Sequence, residues 1–142
     1  MLLASAICSC SEKQPETTEP MITKTEIQVE NGLLTPEIMH RLGKVGDVQV
    51  SPNHAKILYG VSYTSIEQNK GNRELYLMNV DGSENVKITN TPKSESNARW
   101  INDSQIIYMR SGKLYTATIE GSTLKNEKEV AGAEGMEGFE LS

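Results

Sequence analysis

The sequence predicts an all-β chain: an incomplete β-propeller of about two antiparallel blades plus the start of a third, preceded by a short N-terminal helix. Three observations carry this expectation. First, a pattern of short apolar runs is written twice. Asp47 Val48 Gln49 Val50 Ser51 Pro52, Lys56 Ile57 Leu58 Tyr59 Gly60 Val61 and Glu74 Leu75 Tyr76 Leu77 Met78 Asn79 Val80 Asp81 Gly82 Ser83 form one copy. Asn97 Ala98 Arg99 Trp100 Ile101 Asn102 Asp103, Gln105 Ile106 Ile107 Tyr108 and Lys113 Leu114 Tyr115 Thr116 Ala117 Thr118 Ile119 Glu120 Gly121 Ser122 form the other. Second, a third start, Gly138 Phe139 Glu140 Leu141 Ser142, superimposes on Val48 to Ser51. Third, a spacing of about 40 residues with several strands per unit is the period of propeller blades. Since a ring closes with about 4 to 8 blades, a chain ending inside a blade reads as a fragment of a larger propeller.

The elements follow in order. Residues 1–10, with the apolar Leu2, Leu3 and Ile7 among small residues, read as the remnant of an export signal. Ile7 Cys8 Ser9 Cys10 resembles a bacterial lipoprotein box with Cys10 as the lipidation candidate, which implies an exported protein, periplasmic or held at a membrane. The alternative is a frayed terminus from a misplaced start codon. Residues 11–24 hold Pro15, Pro20 and many Glu, Thr and Lys without apolar periodicity, and read as a linker. Residues 25–46 are expected to contain a short strand, Thr25 to Glu30, with Ile27 and Val29 alternating, and then a helix from Pro36 to Leu42. Thr35 caps that helix, Pro36 suits its first position, Glu37 suits the dipole, and Gly43 is expected to end it in the left-handed region. Ile38, Met39 and Leu42 give it an apolar side for docking.

Repeat 1 spans 47–96 and repeat 2 spans 97–137, with 138–142 as the start of repeat 3. Ile57, Tyr59, Val61 and Tyr63 share one strand face, while Leu75 and Leu77 oppose Tyr76, Met78 and Val80. Strands apolar on both faces suit blades sandwiched between neighbours. Asp81 Gly82 and Glu120 Gly121 mark equivalent tight turns, as do Ser51 Pro52 Asn53 His54 and Asn102 Asp103 Ser104. Tyr59 to Tyr76 spans 17 positions and Tyr108 to Tyr115 only 7, so repeat 1 should carry an extra loop or long hairpin, Thr64 to Arg73.

Composition narrows the function. Nineteen acids against fourteen bases give a net charge of −5, which disfavours nucleic acid as a partner. Mean hydropathy is −0.45, and no apolar run approaches the roughly 18 residues of a spanning helix. Both cysteines, Cys8 and Cys10, precede the repeats, so no disulfide framework or tetrahedral thiolate metal site is expected in them. His40 and His54 lack metal-ligand spacing and read as surface or packing residues, and no cofactor is implied. Glu134, Glu137 and Glu140 lack the alternation of a calcium loop and read as a solvated connection. Trp100 and Phe139, each near the start of a repeat, read as packing between blades.

Some of these residues carry a more specific likeness. Leu34 Thr35 Pro36 Glu37 before Gly43 Lys44 Val45, Val48 Gln49 Val50 Ser51 Pro52, Asn69 Lys70 Gly71 Asn72 Arg73 Glu74 Leu75 Tyr76, Asn79 Val80 Asp81 Gly82, and Ile88 Thr89 Asn90 Thr91 Pro92 with Glu95 Ser96 Asn97 Ala98 Arg99 Trp100 follow one another in this order. Together they resemble the N-terminal propeller blades of bacterial serine peptidases of the prolyl oligopeptidase family, in its dipeptidyl and acylaminoacyl peptidase-like branch. The likeness covers about Leu34 to Ser142. Asn53 His54 stands where the family has Asp-Gly, and Ile101 Asn102 Asp103 Ser104 replaces a Ser-Pro-Asp-Gly turn.

The resemblance implies a propeller that screens peptide substrates for an α/β-hydrolase domain with a Ser on a Gly-x-Ser-x-Gly elbow. No such elbow is present here, and no catalytic residue is assigned. Gly82 Ser83 and Gly121 Ser122 fall in predicted turns. The expected function is therefore the substrate-gating part of an exported serine exopeptidase, inactive alone. The alternatives are a non-enzymatic periplasmic binding or scaffold propeller, similar to that of the Tol system, and a gene fragment without a function of its own. Such a chain is expected to be marginally stable and to self-associate through open blade faces and strand edges.

Overall fold

Among the described residues, eight strands, all paired antiparallel, build two four-stranded sheets in sequence order. The computed structural model describes residues 20–141. The first sheet contains β1 (Lys44–Val50), β2 (Lys56–Ser65), β3 (Lys70–Asn79) and β4 (Val86–Lys87). The second contains β5 (Glu95–Trp100), β6 (Gln105–Arg110), β7 (Lys113–Glu120) and β8 (Thr123–Glu134). Each is an up-and-down meander in which neighbours in sequence are neighbours in space. Among the described residues the fold is all-β, as expected, with one short α-helix and no closed barrel.

The two sheets repeat one another in detail. Tyr59 lies opposite Tyr76 and Tyr108 opposite Tyr115, and both pairs stack, at 5.5 and 6.0 Å between ring centroids. The first strand of each sheet breaks register at the same place, between Gly46 and Gln49 and between Ser96 and Arg99. Asp47 and Asn97 sit there with φ of 51° and 52°, the left-handed conformation that short side chains with carbonyl oxygens tolerate best. Turns repeat as well. Lys56 N–H donates to Ser51 Oγ, and Gln105 N–H to Asn102 Oδ1, each closing the turn between the first and second strands. The Ser111 Gly112 turn, with positive φ at both residues, joins β6 to β7 in two residues.

The core lies between the sheets. Leu58, Leu75 and Leu77 face Ala98, Trp100, Ile106, Tyr108, Ala117 and Ile119, all buried. Because side chains alternate along a strand, Tyr59 and Tyr76 must lie on the other face of the first sheet. In the second sheet it is the tyrosine side, Tyr108, that meets the partner. The second sheet's other face carries Ile107, Met109 and Leu114, at positions equivalent to Leu58, Gly60 and Leu75. The sheets are thus stacked head to tail, tyrosine face onto leucine face, and do not oppose like faces as a two-fold sandwich would.

Several expectations need correction. Thr25 to Glu30 is not a strand: residues 20–29 have no regular structure, and Glu30–Gly32 form a 3-10 turn. Two alternating apolar residues do not hold a strand without a partner, and residues 25–30 pair with none of the strands described. The helix α1 (Pro36–Arg41) forms, with Thr35 Oγ1 accepting from Ile38 N–H, but it leaves through Leu42 in an extended conformation. Gly43 does not adopt a positive φ. It is needed for space, since a Cβ there would meet Tyr63 and Val61 at 2.9 Å. Of the helix's apolar residues only Ile38 is half-buried, against β2, while Met39 and Leu42 remain exposed.

The long hairpin in repeat 1 exists, yet Thr64 to Arg73 is mostly paired strand, with a four-residue tip between Ser65 and Lys70. Residues 138–141 form no strand. The second sheet's outer face is also less open than expected, because Val130, Ala133, Met136 and Phe139 pack onto Ile107, Met109 and Leu114. Cys8 and Cys10, most of the expected linker, and Ser142 lie outside the described residues.

Candidate functional site

The three repeat starts converge. Gln49, Arg99 and Glu140 occupy equivalent repeat positions, and with Trp100 and Leu141 they line one cleft of about 410 Å³. The first strands β1 and β5 hold two of its walls, and the segment after β8 supplies the third. Contacts between successive starts fix this arrangement. Asn97 N–H donates to Asp47 Oδ2 at 3.1 Å, Asn97 Nδ2 donates to the Phe139 carbonyl at 3.1 Å, and Trp100 Nε1 donates to the Gln49 carbonyl at 3.3 Å. Each bulge therefore grips the next repeat. Arg99 donates to the Ala98 carbonyl, and no ion pair engages it among the described residues, so the cleft holds a half-buried guanidinium near an exposed carboxylate. Such a lining can hold polar chain ends or a peptide backbone, and it offers no nucleophile.

Asp47 is itself held by Arg73 of β3, Nη2 to Oδ2 at 2.9 Å, with Arg73 Nη1 donating to Ser62 Oγ. The guanidinium can reach Asp47 only because Gly46 and Gly60, paired across β1 and β2, carry no side chains: a Cβ at Gly60 would lie 2.4 Å from Arg73 Nε. A surface arginine would not need that room. This one crosses the first sheet to position the bulge that grips the second.

A second polar group closes the seam between the sheets. The link from β4 to β5 passes through Thr89, Asn90, Thr91 and Pro92. Glu74, buried on β3, receives Thr89 Oγ1 on Oε2 at 2.7 Å and, on Oε1, Thr91 N–H and Asn72 Nδ2, both at 3.1 Å. Glu95, fully buried at the start of β5, receives Thr91 Oγ1 and Arg110 Nε on Oε1, both at 2.7 Å. Arg110 also makes a two-point contact with Glu127 of β8 and lies over the Tyr108 and Tyr115 rings. Tyr108 O–H donates to the same carboxylate. Burial, opposed by Thr91 and Arg110, pushes the Glu95 carboxyl up, whereas the Arg110 hydrogen bonds pull Glu127 down. Burial also raises Tyr108, aided by its bond to Glu127, and Arg110 is raised by its carboxylates in spite of burial.

A further cleft, about 550 Å³, lies between residues 21–25, α1 and the β2–β3 hairpin, with Glu37, Arg41 and Tyr63 among its lining. Met21 and Ile22, in the expected linker, are half-buried there.

The residues singled out from sequence fall as follows. His40 and His54 are exposed and far apart in the chain, on α1 and in the β1–β2 turn; among the described residues no group of three or more His, Cys, Asp and Glu could hold a metal. Ser83 Oγ donates to Asp81 Oδ1 at 2.6 Å inside the β3–β4 turn, and Ser122 is in the β7–β8 turn. Neither has an imidazole partner among the described residues. Glu134, Glu137 and Glu140 are exposed. Trp100 packs between the two sheets as expected, and Phe139 packs onto the outer face of the second sheet. Arg110 escaped sequence reasoning, as did the roles of Arg73, Glu74 and Glu95. A charged residue set inside an apolar strand, as Glu74 is before Leu75 Tyr76 Leu77, is the signal that could have found them.

Comparison with known proteins gives two similar sequences. The chain is 31% identical over 97 residues to dipeptidyl-peptidase 5 of Porphyromonas endodontalis, covering 68% of this chain and 13% of that protein. It is 35% identical over 80 residues to dipeptidyl-peptidase 5 of Porphyromonas gingivalis, covering 56% of this chain and 12% of that protein. The chain thus spans roughly an eighth of the length of these curated relatives and is related to a segment of a dipeptidyl peptidase. No protein-family model matches it.

Proposed function

We propose that this chain is a propeller segment of an exported dipeptidyl peptidase of the prolyl oligopeptidase family, and that it gates peptide substrates for a hydrolase domain encoded elsewhere in the parent protein. The observation that carries this reading is the head-to-tail stacking of the two sheets. A symmetric sandwich would be finished by its own two faces. A heterologous stack can continue in both directions, and with a constant rotation per unit it closes into a ring. The cleft of Gln49, Arg99 and Glu140 then lies where the first strands of successive blades meet, along the axis of such a ring. Likeness to a segment of two dipeptidyl peptidases supports the same parentage.

Two measurements test the reading. Sequencing past the Ser142 codon is expected to find a frame that continues through further repeats of this kind to a Gly-x-Ser-x-Gly elbow. Further repeats ending in a stop codon would instead identify a binding propeller. The purified 142-residue chain is expected to release no chromophore from dipeptide substrates, because peptide hydrolysis needs a nucleophile, a base and oxyanion donors within about 3 Å of one another. Turnover blocked by a serine-directed inhibitor would overturn the assignment.

The export part of the proposal rests on Ile7 Cys8 Ser9 Cys10 and the polar residues that follow. Lipidation at Cys10 would convert a soluble chain into an anchored one. In a bacterial host the chain is expected in the membrane fraction, and Cys10→Ser is expected to release it. Identical fractionation of the two proteins would exclude the anchor.

A further inference from the structure

The seam between the sheets is short of hydrogen-bond donors. Glu95 Oε2 and Asn72 Oδ1 are both buried acceptors with no donor. The orientation of the Asn72 amide is fixed, because its Nδ2 already donates to Glu74 Oε1 and to the Thr91 carbonyl at 2.9 Å; turning it over would set oxygen against two acceptors. Thr91 is over-subscribed as well. Its single hydroxyl proton faces two acceptors, Glu95 Oε1 and the Lys93 carbonyl, each at 2.7 Å. A buried acceptor left without a donor costs about 1–3 kcal/mol, so this deficit should not persist if a proton can fill it.

The charges point the same way. Two carboxylates, Glu95 of β5 and Glu127 of β8, share one guanidinium, Arg110 of β6. Glu127 takes both of its terminal nitrogens, at 2.8 and 2.9 Å, which leaves Glu95 only the Nε edge. Glu74 adds a like charge across the seam. Of the other packed strands, Arg73 of β3 is turned to Asp47 of β1, with its Nε and Nη2 left without a hydrogen bond, and the Tyr59 hydroxyl of β2 donates to Asn85. Where a buried and an exposed carboxylate compete for one cation, the buried one, Glu95, gains most by becoming neutral.

We propose that Glu95 is carried as the neutral acid, with its proton on Oε2 and donated to Asn72 Oδ1, so that the seam between the two sheets is a proton-locked joint. One proton then satisfies both orphan acceptors and removes the surplus charge, while Oε1 continues to accept from Arg110. The joint is strongest in acid and loosens as pH rises. The sign follows from linkage. A carboxyl whose folded pKa is raised adds stability that is complete below its unfolded value, near 4.5, and is lost as pH rises through the folded value.

Glu95→Gln tests this, since the amide keeps the shape and carries a permanent donor where the proton would sit. Urea midpoints of the purified chain and of E95Q would be compared from about pH 5 to about pH 8. The expected result is equal midpoints at the acid end, a falling wild-type midpoint with rising pH, and an E95Q midpoint that falls less and is the higher one at the alkaline end. An E95Q protein less stable than wild type throughout, or parallel to it in pH, would show that Glu95 is ionised and overturn the proposal. Infrared spectra provide a readout that does not depend on unfolding. At neutral pH the folded wild type should show the carbonyl stretch of a protonated carboxyl that E95Q lacks, and absence of that difference band would equally overturn it.

Discussion

Replacing Trp100 by Ala is expected to destabilise the chain by about 3–5 kcal/mol, the range for deleting a large buried aromatic. Since a domain of this size is stabilised by only about 5–15 kcal/mol in total, much of the W100A population should be unfolded or non-native at 37 °C. Two contributions add. The indole is buried in the core between the sheets, and its Nε1 donates to the Gln49 carbonyl of β1, across to the other sheet. Loss of the ring opens a cavity where the two units meet, so both sheets should lose cooperativity together. Trp100→Phe separates the parts, as it retains most of the packing and removes the hydrogen bond, with an expected cost nearer 1–2 kcal/mol. Urea unfolding followed by far-UV circular dichroism measures both. A W100A midpoint close to wild type would mean that the sheets are not held by this contact.

The position of Trp100 shows why part of this structure could be read in the sequence. Strand residues alternate between faces, so apolar runs such as Leu75 Tyr76 Leu77 declare both the strand and its burial on both sides. The tyrosine pairs were equally legible: Tyr59 with Tyr76 and Tyr108 with Tyr115 hold the same place in each unit, and both stack. The bulges at Asp47 and Asn97 were not legible. Their conformation is imposed by a neighbour, Arg73 in one case and Phe139 in the other, at a distance along the chain that no local pattern reports. The same limit explains the missing strand at Thr25 to Glu30, which has the alternation and no partner. Gly43 illustrates a different ambiguity. Glycine serves both backbone freedom and close approach, and here Tyr63 and Val61 decide for the second. The buried seam of Glu74, Glu95 and Arg110 depends on three strands and a link brought together, so its chemistry emerges only once the sheets are stacked.

Gly60 is where the second large effect is expected. Gly60→Ala places a Cβ 2.4 to 2.7 Å from Arg73 Nε, Nη2 and Cζ, closer than these atoms can approach. Relief must come from the arginine, because Gly60 is paired on both sides, with Gly46 and Leu75. Moving the guanidinium breaks its 2.9 Å contact with Asp47, and Asp47 is the acceptor for Asn97 N–H on the opposite sheet. Overpacking of this kind costs about 1–3 kcal/mol, and partial loss of the ion pair and bulge contact adds to it. G60A is therefore expected to lower stability by about 2–4 kcal/mol and to loosen the approach of β1 to β5. The interaction can be isolated with a second substitution. Arg73→Ala alone removes the ion pair, but in an Arg73→Ala background the three atoms that crowd a methyl group at position 60 are gone. A double-mutant cycle measured by urea unfolding should show coupling of about 1–2 kcal/mol, with the double variant more stable than the sum of the single effects allows. Strict additivity would show that the glycine serves the backbone of β2 and not the arginine that crosses it.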